Sequence, residues 1–310
     1  MELLDIRQLR AFQELARKNS FTEAANQLHL TQSAVSHSIK SLETQLQVTL
    51  FERLGKKALL TGEGQALLPH VDAIISRMEK AVDDVVNSNR PGHGRLRIGT
   101  TATISQYALP SILRELRESF PNYEITVTTA SDRQLLDLLE NGHLDSVIAL
   151  KMQTVSRISF DPIFIDRIEM AISAIHPLAK STIISIDQVI NEDFIICDGD
   201  SDTFRLIEKA FFDAKSRLHS SLQVGSMAAI KEMARIGLGI GLIPSWIALD
   251  EINSGSLVFQ PLPFGEATRT WGIYTDSRQE PSLIDSVFFG ITRNVFENLK
   301  VRTDQFELCS

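Results

Sequence analysis

Residues 20–43 read SFTEAANQLHLTQSAVSHSIKSLE. Ser20 stands three residues ahead of Glu23, the spacing of a capping box, so a helix starts at Phe21. It runs through Ala24, Ala25 and Leu28, and the small alanines let a second helix cross closely. Thr31 is a good N-cap for the next helix, which begins at Gln32. Along that helix Val35, Ile39, Leu42 and Leu46 share one face. At about 100° per residue, Ser33, Ser36, His37, Lys40 and Thr44 fall on the other. The second face is polar, carries no acid, and combines short hydrogen-bonding side chains with two groups able to be cationic. Gln32 sits in the exposed first turn. Gln can bond adenine in two places, and Ser and Lys can bond base edges or phosphate. A helix, a tight turn and a second helix so divided is how a small domain presents one helix to the DNA major groove. The alternative is an ordinary amphipathic helix with a solvated face.

The next segment favours the first reading. Phe51 to Thr61 reads FERLGKKALLT. Arg53, Lys56 and Lys57 surround Gly55 and are flanked by apolar residues, the pattern of a two-stranded wing. Cations placed beside a reading helix contact phosphates and make affinity salt-dependent. Taken together, IRQLRAFQELARKNSFTEAANQLHLTQSAVSHSIKSLETQLQVTLFERLGKKALLTGEGQALL closely resembles the winged helix-turn-helix of LysR-type transcriptional regulators. The resemblance covers residues 6 to about 68 nearly without gaps.

At 310 residues the chain has room for two or three domains. Apolar content is ordinary for a globular protein, so a substantial core can form. No window of ~20 apolar residues exists, so no membrane span is expected. No secretory signal is visible at the N-terminus. Cys197 and Cys309 form no CxxC pair, which suggests a reducing cytoplasm rather than a disulfide scaffold. The net charge of −8 sits awkwardly with DNA binding, but its distribution explains it. Residues 1–65 hold 8 basic against 7 acidic residues, and the acid excess falls in the C-terminal two thirds. That argues for a narrow positive contact surface and against a general nucleic-acid coat protein. The acids Glu14, Glu23 and Glu43 are expected to face away from it.

Leu67, Val71, Ile74, Met78, Ala81 and Val85 repeat as heptad a and d positions over about three heptads. They predict a dimerisation helix over 66–90, unless the helix packs on its own domain. Asn87 to Gly94, NSNRPGHG, is rich in breakers and reads as a hinge. Two reading helices must be held at fixed spacing to reach two half-sites, which a paired helix would do.

From Arg95 strands and helices alternate. Strands are predicted at Leu96–Thr100, Tyr123–Thr129 and Leu144–Leu150, with helices at Ser105–Ser119 and Asp132–Asn141, a βαβαβ unit with a parallel sheet. Residues 157–174 carry extended runs broken near Asp166. A second set follows: Phe194–Cys197, a helix from Thr203 to Leu218, Leu222–Gly225, a helix at Met227–Ile236, and Ile240–Pro244. The chain returns through Leu257–Leu262 to a strand at Arg269–Thr275 and a last helix from Ser282 to about Leu299. Two such halves joined by two crossings resemble the periplasmic-binding-protein fold, which is also that of the LysR-type effector domain. The expected organisation is a winged helix-turn-helix at 1–65, a linker helix at 66–90 and an effector domain at 91–310. Its halves fall at about 95–165 with 267–300, and at about 166–266.

In such folds ligands bind at the carboxyl ends of strands and the N-termini of helices. Thr100, Thr101 and Thr103 follow the first strand, and their hydroxyls with free backbone N–H groups suit an anion or a polar ligand. The alternative for them is helix capping. The run GTTATISQYALP resembles the threonine-rich effector loop of the sulfur-assimilation branch of the family. Ile104 replaces a glutamine of that branch, which argues against sulfate-like or acetylserine-like ligands. Across the cleft, Asp198-Gly-Asp-Ser-Asp202 precedes a helix. It fails the calcium-loop template, with Thr203 where Gly is required and Lys209 where the bidentate Glu belongs. Helix capping is its main alternative role. Asp200, Ser201, Asp202 and Ser226 are candidates for this wall, and Leu150 and Lys151 end a strand facing it. Lys151 would offset the acids, so a ligand with both amino and acid groups uses both walls.

Gly237, Gly239 and Gly241 precede a strand rather than follow one, so they read as a helix C-cap and tight packing, not a dinucleotide loop. The seven histidines show no ligand spacing, so no metal or cofactor is expected. Cys197 reads as small core filler rather than a redox sensor. These readings converge on an effector-responsive regulator of DNA, at least a homodimer and, as the resemblance implies, a homotetramer. The competing reading is a solute-binding or enzymatic α/β domain fused to a helical protein-interaction module. The basic wing and the missing export signal weigh against a binding protein. The lack of a nucleophile–base pair weighs against an enzyme.

Overall fold

The computed structural model describes residues 3–307 other than 56, 88–92, 153–156, 182, 190–191, 200, 216–219, 264 and 279. Three helices come first: α1 (Ile6–Lys18), α2 (Phe21–Leu28) and α3 (Gln32–Leu46). Asp5, Ser20 and Thr31 cap them, accepting the N–H of Arg7, Glu23 and Ala34. Left-handed residues at Asn19, His29 and Gln47 end them and turn the chain sharply. Strands β1 (Phe51–Leu54) and β2 (Lys57–Leu60) pair antiparallel with Leu54 opposite Lys57. Gly55, at φ 64°, takes the positive φ that the two-residue loop needs. Phe12, Leu15, Val35, Ile39, Leu42, Leu50 and Phe51 form the core.

Helix α4 (Gly62–Asn87) starts earlier than the expected 66, with Thr61 Oγ1 accepting the Gly64 N–H at 3.1 Å. Its first turns belong to the winged-domain core: Val71 is wholly buried there, Ile75 is buried, and Leu67 packs against it half-buried. This corrects the seam reading at Val71, because a side chain already enclosed by its own domain has nothing left to offer a partner. Further along, Ile74, Met78, Ala81, Val82, Val85 and Val86 are exposed. The hinge at 87–94 lies mostly outside the described residues.

The remaining elements are β3 (His93–Thr100), α5 (Ala102–Tyr107), α6 (Leu109–Ser119), β4 (Asn122–Thr129), α7 (Asp132–Glu140), β5 (Ser146–Leu150) and β6 (Ile158–Ser173). They continue with α8 (Ile186–Val189), β7 (Phe194–Ile196), α9 (Asp202–Asp213), β8 (Ser220–Gln223), α10 (Met227–Arg235) and β9 (Ile240–Ile243). Last come α11 (Leu249–Asn253), β10 (Leu257–Gln260), β11 (Ala267–Asp276) and α12 (Leu283–Glu307). The chain packs as two compact units. One holds the residues up to Arg97 with Asn122–Thr126 and Leu136–Asp145. The other holds Ile98–Pro121, Val127–Leu135 and the residues from Ser146 onward. Inside the first, half-buried Asp145 accepts from the backbone N–H of Arg97 at 2.8 Å and its guanidinium at 2.9 Å, and pairs with Lys80 of α4 at 3.3 Å.

The strands lie in the order β4-β3-β5-β11-β6-β9-β7-β8, with β10 also on β6. β3 and β5 are parallel, as are β7 with β8 and β9. β11 returns antiparallel between β5 and β6. β6 serves both halves: it pairs with β11 as far as Ile168, and from Glu169 or Met170 with β9 and β10. The expected break near Asp166 is absent. Asp166 is a buried charge inside a continuous strand, and a lone acid in an apolar run looks like an interruption from sequence alone. The expected helix Ser105–Ser119 is two helices, because Pro110 cannot donate in the middle of one and starts α6 instead. The last helix runs on to Glu307. Gly237, at φ 82°, follows α10, and a Cβ on Gly241 would sit 3.0 Å from that of Ala234, as a C-cap and close packing require.

Candidate functional site

The exposed face of α3 is fixed by what its other face buries. Val35, Ile39 and Leu42 are in the core, and Leu46 packs against it. Gln32, Ser33, His37, Lys40 and Thr44 are exposed and Ser36 is half-buried. Ser33 Oγ lies 2.9 Å from Thr31 Oγ1, so the cap also orients the first turn. Glu43 turns inward and accepts the N–H of Leu50 at 2.8 Å and of Phe51 at 3.3 Å. The acid is thereby kept off the polar face, and it ties α3 to the first strand of the wing. Lys57 is exposed on the wing. Lys56 and the side chain of Arg53 lie outside the described residues.

The second candidate lies where strands end and helices begin. Thr101 Oγ1 accepts the Ile104 N–H at 3.5 Å, Ser201 Oγ that of Phe204 at 3.0 Å, and Ser226 Oγ that of Ala229 at 3.4 Å. These three hydroxyls cap α5, α9 and α10. Thr100 is wholly buried, with its hydroxyl 3.4 Å from the Ile148 carbonyl. It is therefore part of the sheet and not a ligand group, which corrects that expectation. Thr103 is half-buried and Lys151 exposed. Leu150 is buried and contributes backbone: its N–H donates to Asp132 Oδ1 at 3.0 Å and its carbonyl accepts from the Tyr274 hydroxyl at 2.8 Å. Asp202 pairs with Arg205 at 2.9 Å. Asp200 lies outside the described residues.

Asp132 and Tyr274 join these residues without having been singled out by the sequence. Burial raises the Asp132 carboxyl above its ordinary value. The Leu150 N–H and Arg269 oppose this, and the Asp202 charge adds to it. Burial pushes the Tyr274 hydroxyl up to about 12, with the Asp132 and Asp202 charges adding. Asp132, from one half of the fold, therefore feels Asp202 from the other. Beneath them lies a buried polar centre. Asp166 accepts from Arg269 Nε at 2.9 Å and Nη2 at 2.5 Å, from Trp246 Nε1 at 2.8 Å and from Trp271 Nε1 at 3.0 Å. Arg269 Nη1 reaches Thr203 Oγ1 at 3.0 Å. Cys197 lies 3.2 Å from Ser201 Oγ and is buried, and burial raises its thiol above the usual range. That is the environment of an inert structural cysteine.

Residues 6–65 match the model of the bacterial regulatory helix-turn-helix protein, lysR family, and residues 89–296 match that of the LysR substrate binding domain. The chain belongs to the LysR family of transcriptional regulators. Members bind DNA operators and small-molecule effectors and act as oligomers. The regulator is 29 % identical over 280 residues to the HTH-type transcriptional activator CmpR of Synechocystis, covering 90 % of this chain and 92 % of that one. It is 26 % identical over 267 residues to the hydrogen peroxide-inducible genes activator of Haemophilus influenzae, covering 86 % and 89 %. A full-length single-substitution variant of OxyR from Pseudomonas aeruginosa has the same fold, with a TM-score of 0.70 at 20 % identity over 96 % of both chains. So does full-length CbnR complexed with its target DNA, with a TM-score of 0.68 at 18 % identity over 94 % of this chain and 99 % of that one. Among the described residues, no helix of the regulator is long and apolar enough to cross a membrane.

Proposed function

We propose that this regulator acts in the cytoplasm, without enzymatic activity of its own, by reading two operator half-sites through paired copies of α3. The observation that carries this is the division of α3. Its apolar face is spent on the core, leaving Gln32, Ser33, His37 and Lys40 exposed beside a basic wing. Gln32, Ser33, Ser36 and His37 read bases, and Lys40, Arg53, Lys56 and Lys57 hold phosphates. The exposed stripe Ile74, Met78, Ala81 and Val85 of α4 pairs with a second copy, with 1–65, 66–90 and 91–310 as the working divisions. The effector occupies the cleft at Thr101, Thr103, Lys151, Ser201, Asp202 and Ser226, with Asp132 added. The carboxylates there suit an amino group and Lys151 an acid group, so an amino acid-like effector fits both walls. A gel shift against the promoter region beside its own gene tests the reading. A retarded complex that survives excess random DNA is expected, and its absence at every protein concentration refutes specific binding.

A further inference from the structure

Helix α4 has a third face besides its two apolar ones. Asp72, Ser76 and Lys80 recur every four residues and so form one polar stripe. The turn after α7 sits on this stripe, within the same compact unit. Each residue of the stripe meets it once. Asp72 Oδ2 lies 3.7 Å from His143 Nε2, the Ser76 hydroxyl donates to the Gly142 carbonyl, and Lys80 pairs with Asp145 at 3.3 Å. Gly142 takes φ 74°, and a Cβ on it would stand 3.7 Å from Ser76 Oγ, so the turn brings backbone close against the helix. Ser76 is buried by this contact, although Ile74 and Met78 on either side of it in sequence are exposed.

The three contacts respond differently to protons. The Ser76–Gly142 bond carries no charge. In the Lys80–Asp145 pair, burial works against the Asp145 charge, but Arg97 and Lys80 outweigh it and hold the carboxyl below its ordinary value. Histidine is the side chain that changes charge between about pH 5 and 8, so the Asp72–His143 contact is the one that answers in that range. Asp72 does not need His143 to be satisfied: its other oxygen accepts from Gln13 Nε2 at 2.5 Å and lies 3.9 Å from Arg17. Burial opposes the Asp72 charge too, but the bonds to His143 and Gln13 and the charges of His143 and Arg17 hold that carboxyl below its ordinary value. Losing the imidazolium therefore leaves no uncompensated buried charge on α4. The other charges on and beside the seat are Arg17 of α1 with its partner Glu14, Arg77 and Lys80 of α4, Arg97 of β3, and Glu140 and Asp145 on either side of the turn. Among the described residues Asp72 alone stands within ion-pair distance of His143. We propose that this seat is a pH-sensitive lock: the imidazolium of His143 holds the turn after α7 on α4 through Asp72, and neutral His143 lets the turn lift. Docking is tightest with the proton on and weakens as pH rises through the histidine range.

Amide hydrogen exchange of the full-length protein reads the seat, because exchange reports local opening. After correction for the intrinsic effect of pH on exchange, peptides over residues 72–80 and 139–146 should open about 5-fold more readily at about pH 8 than at about pH 5.5, the worth of one partly exposed ion pair. Peptides over β9, which belongs to the other unit, should show no such difference and report that the chain is folded. His143→Gln and, separately, Asp72→Asn should lose the pH difference. Ser76→Ala, which removes an uncharged contact, should open the seat further at both pH values and keep the difference between them. The proposal is overturned if the wild-type seat opens equally at both pH values. It is also overturned if His143→Gln keeps the wild-type difference, which would assign that difference to another group.

Discussion

Gln32 and Lys57 are both exposed, and the proposed reading gives them different work. Gln32 stands in the first turn of α3, where its amide can meet a base edge in two places. Gln32→Ala should therefore weaken operator binding by about 1–3 kcal/mol and leave random DNA nearly untouched. Lys57→Ala should weaken both alike and reduce the salt slope by about one. Anisotropy titrations on operator and scrambled duplexes at several salt concentrations separate these outcomes, and an equal loss on both duplexes for Gln32→Ala would remove it from base reading. In the cleft, the Thr101 hydroxyl is a cap. Thr101→Ala should cost about 1 kcal/mol of stability and, like Thr103→Ala, should blunt the effector response per folded molecule. Asp132 gives a pH signature. Its folded value is raised, so the folded state binds the proton more tightly than the unfolded chain. Stability then falls as pH rises from the ordinary Asp value of 3.8 through the higher folded one. Asp132→Asn should flatten that part of the melting temperature against pH, and an unaltered profile would show that Asp132 is not a strained carboxylate. The caps at Ser20 and Thr31 were legible in sequence because a cap is decided within three residues, whereas Ser201 was read as a ligand group and proves also to cap α9. Asp132 was read only as a helix start, since its burial depends on Leu150 and Asp202, which no local pattern brings near it.

Among the elements, β6 and β11 show what sequence could not supply. Asp166 and Arg269 are 103 residues apart, and each alone interrupts an apolar strand. Paired, they are a buried salt bridge with side chains 2 % and 5 % exposed, fully engaged by two indoles and a threonine. Removing one partner leaves a buried charge without compensation, so Arg269→Met should cost about 3–5 kcal/mol in urea unfolding. A loss under about 1 kcal/mol would mean that water reaches Asp166. Helix α4 was legible as a helix, but its heptad pattern could not say which turns its own domain had already covered. The structure divides it: Val71 and Ile75 pack inward, while Ile74 and Met78 lie exposed. Ile74→Lys should for that reason spare folding and weaken self-association, because it places two charges in one apolar seam. Sedimentation at micromolar protein, with an unchanged melting temperature as the control, reads both effects.

For the whole molecule, charge and copy number set how it meets DNA. The chain carries −8 in total, and residues 1–65 hold only one more basic than acidic residue, so a single chain offers few phosphate contacts and weak affinity. Each chain has one α3 and one wing. Tight binding therefore requires two half-sites engaged together, and the second then binds at the effective concentration set by the first. Half-sites must face the same side of the duplex, about 10 bp or a multiple apart. Inserting about 5 bp between them turns one half-site to the far side and should reduce affinity to that of a single half-site. Inserting about 10 bp should restore much of it. In Ile74→Lys the same insertions should make no difference, because the two readings are no longer joined. A wild-type affinity that ignores the 5 bp insertion would show that each α3 binds on its own, and would remove α4 from any part in spacing them.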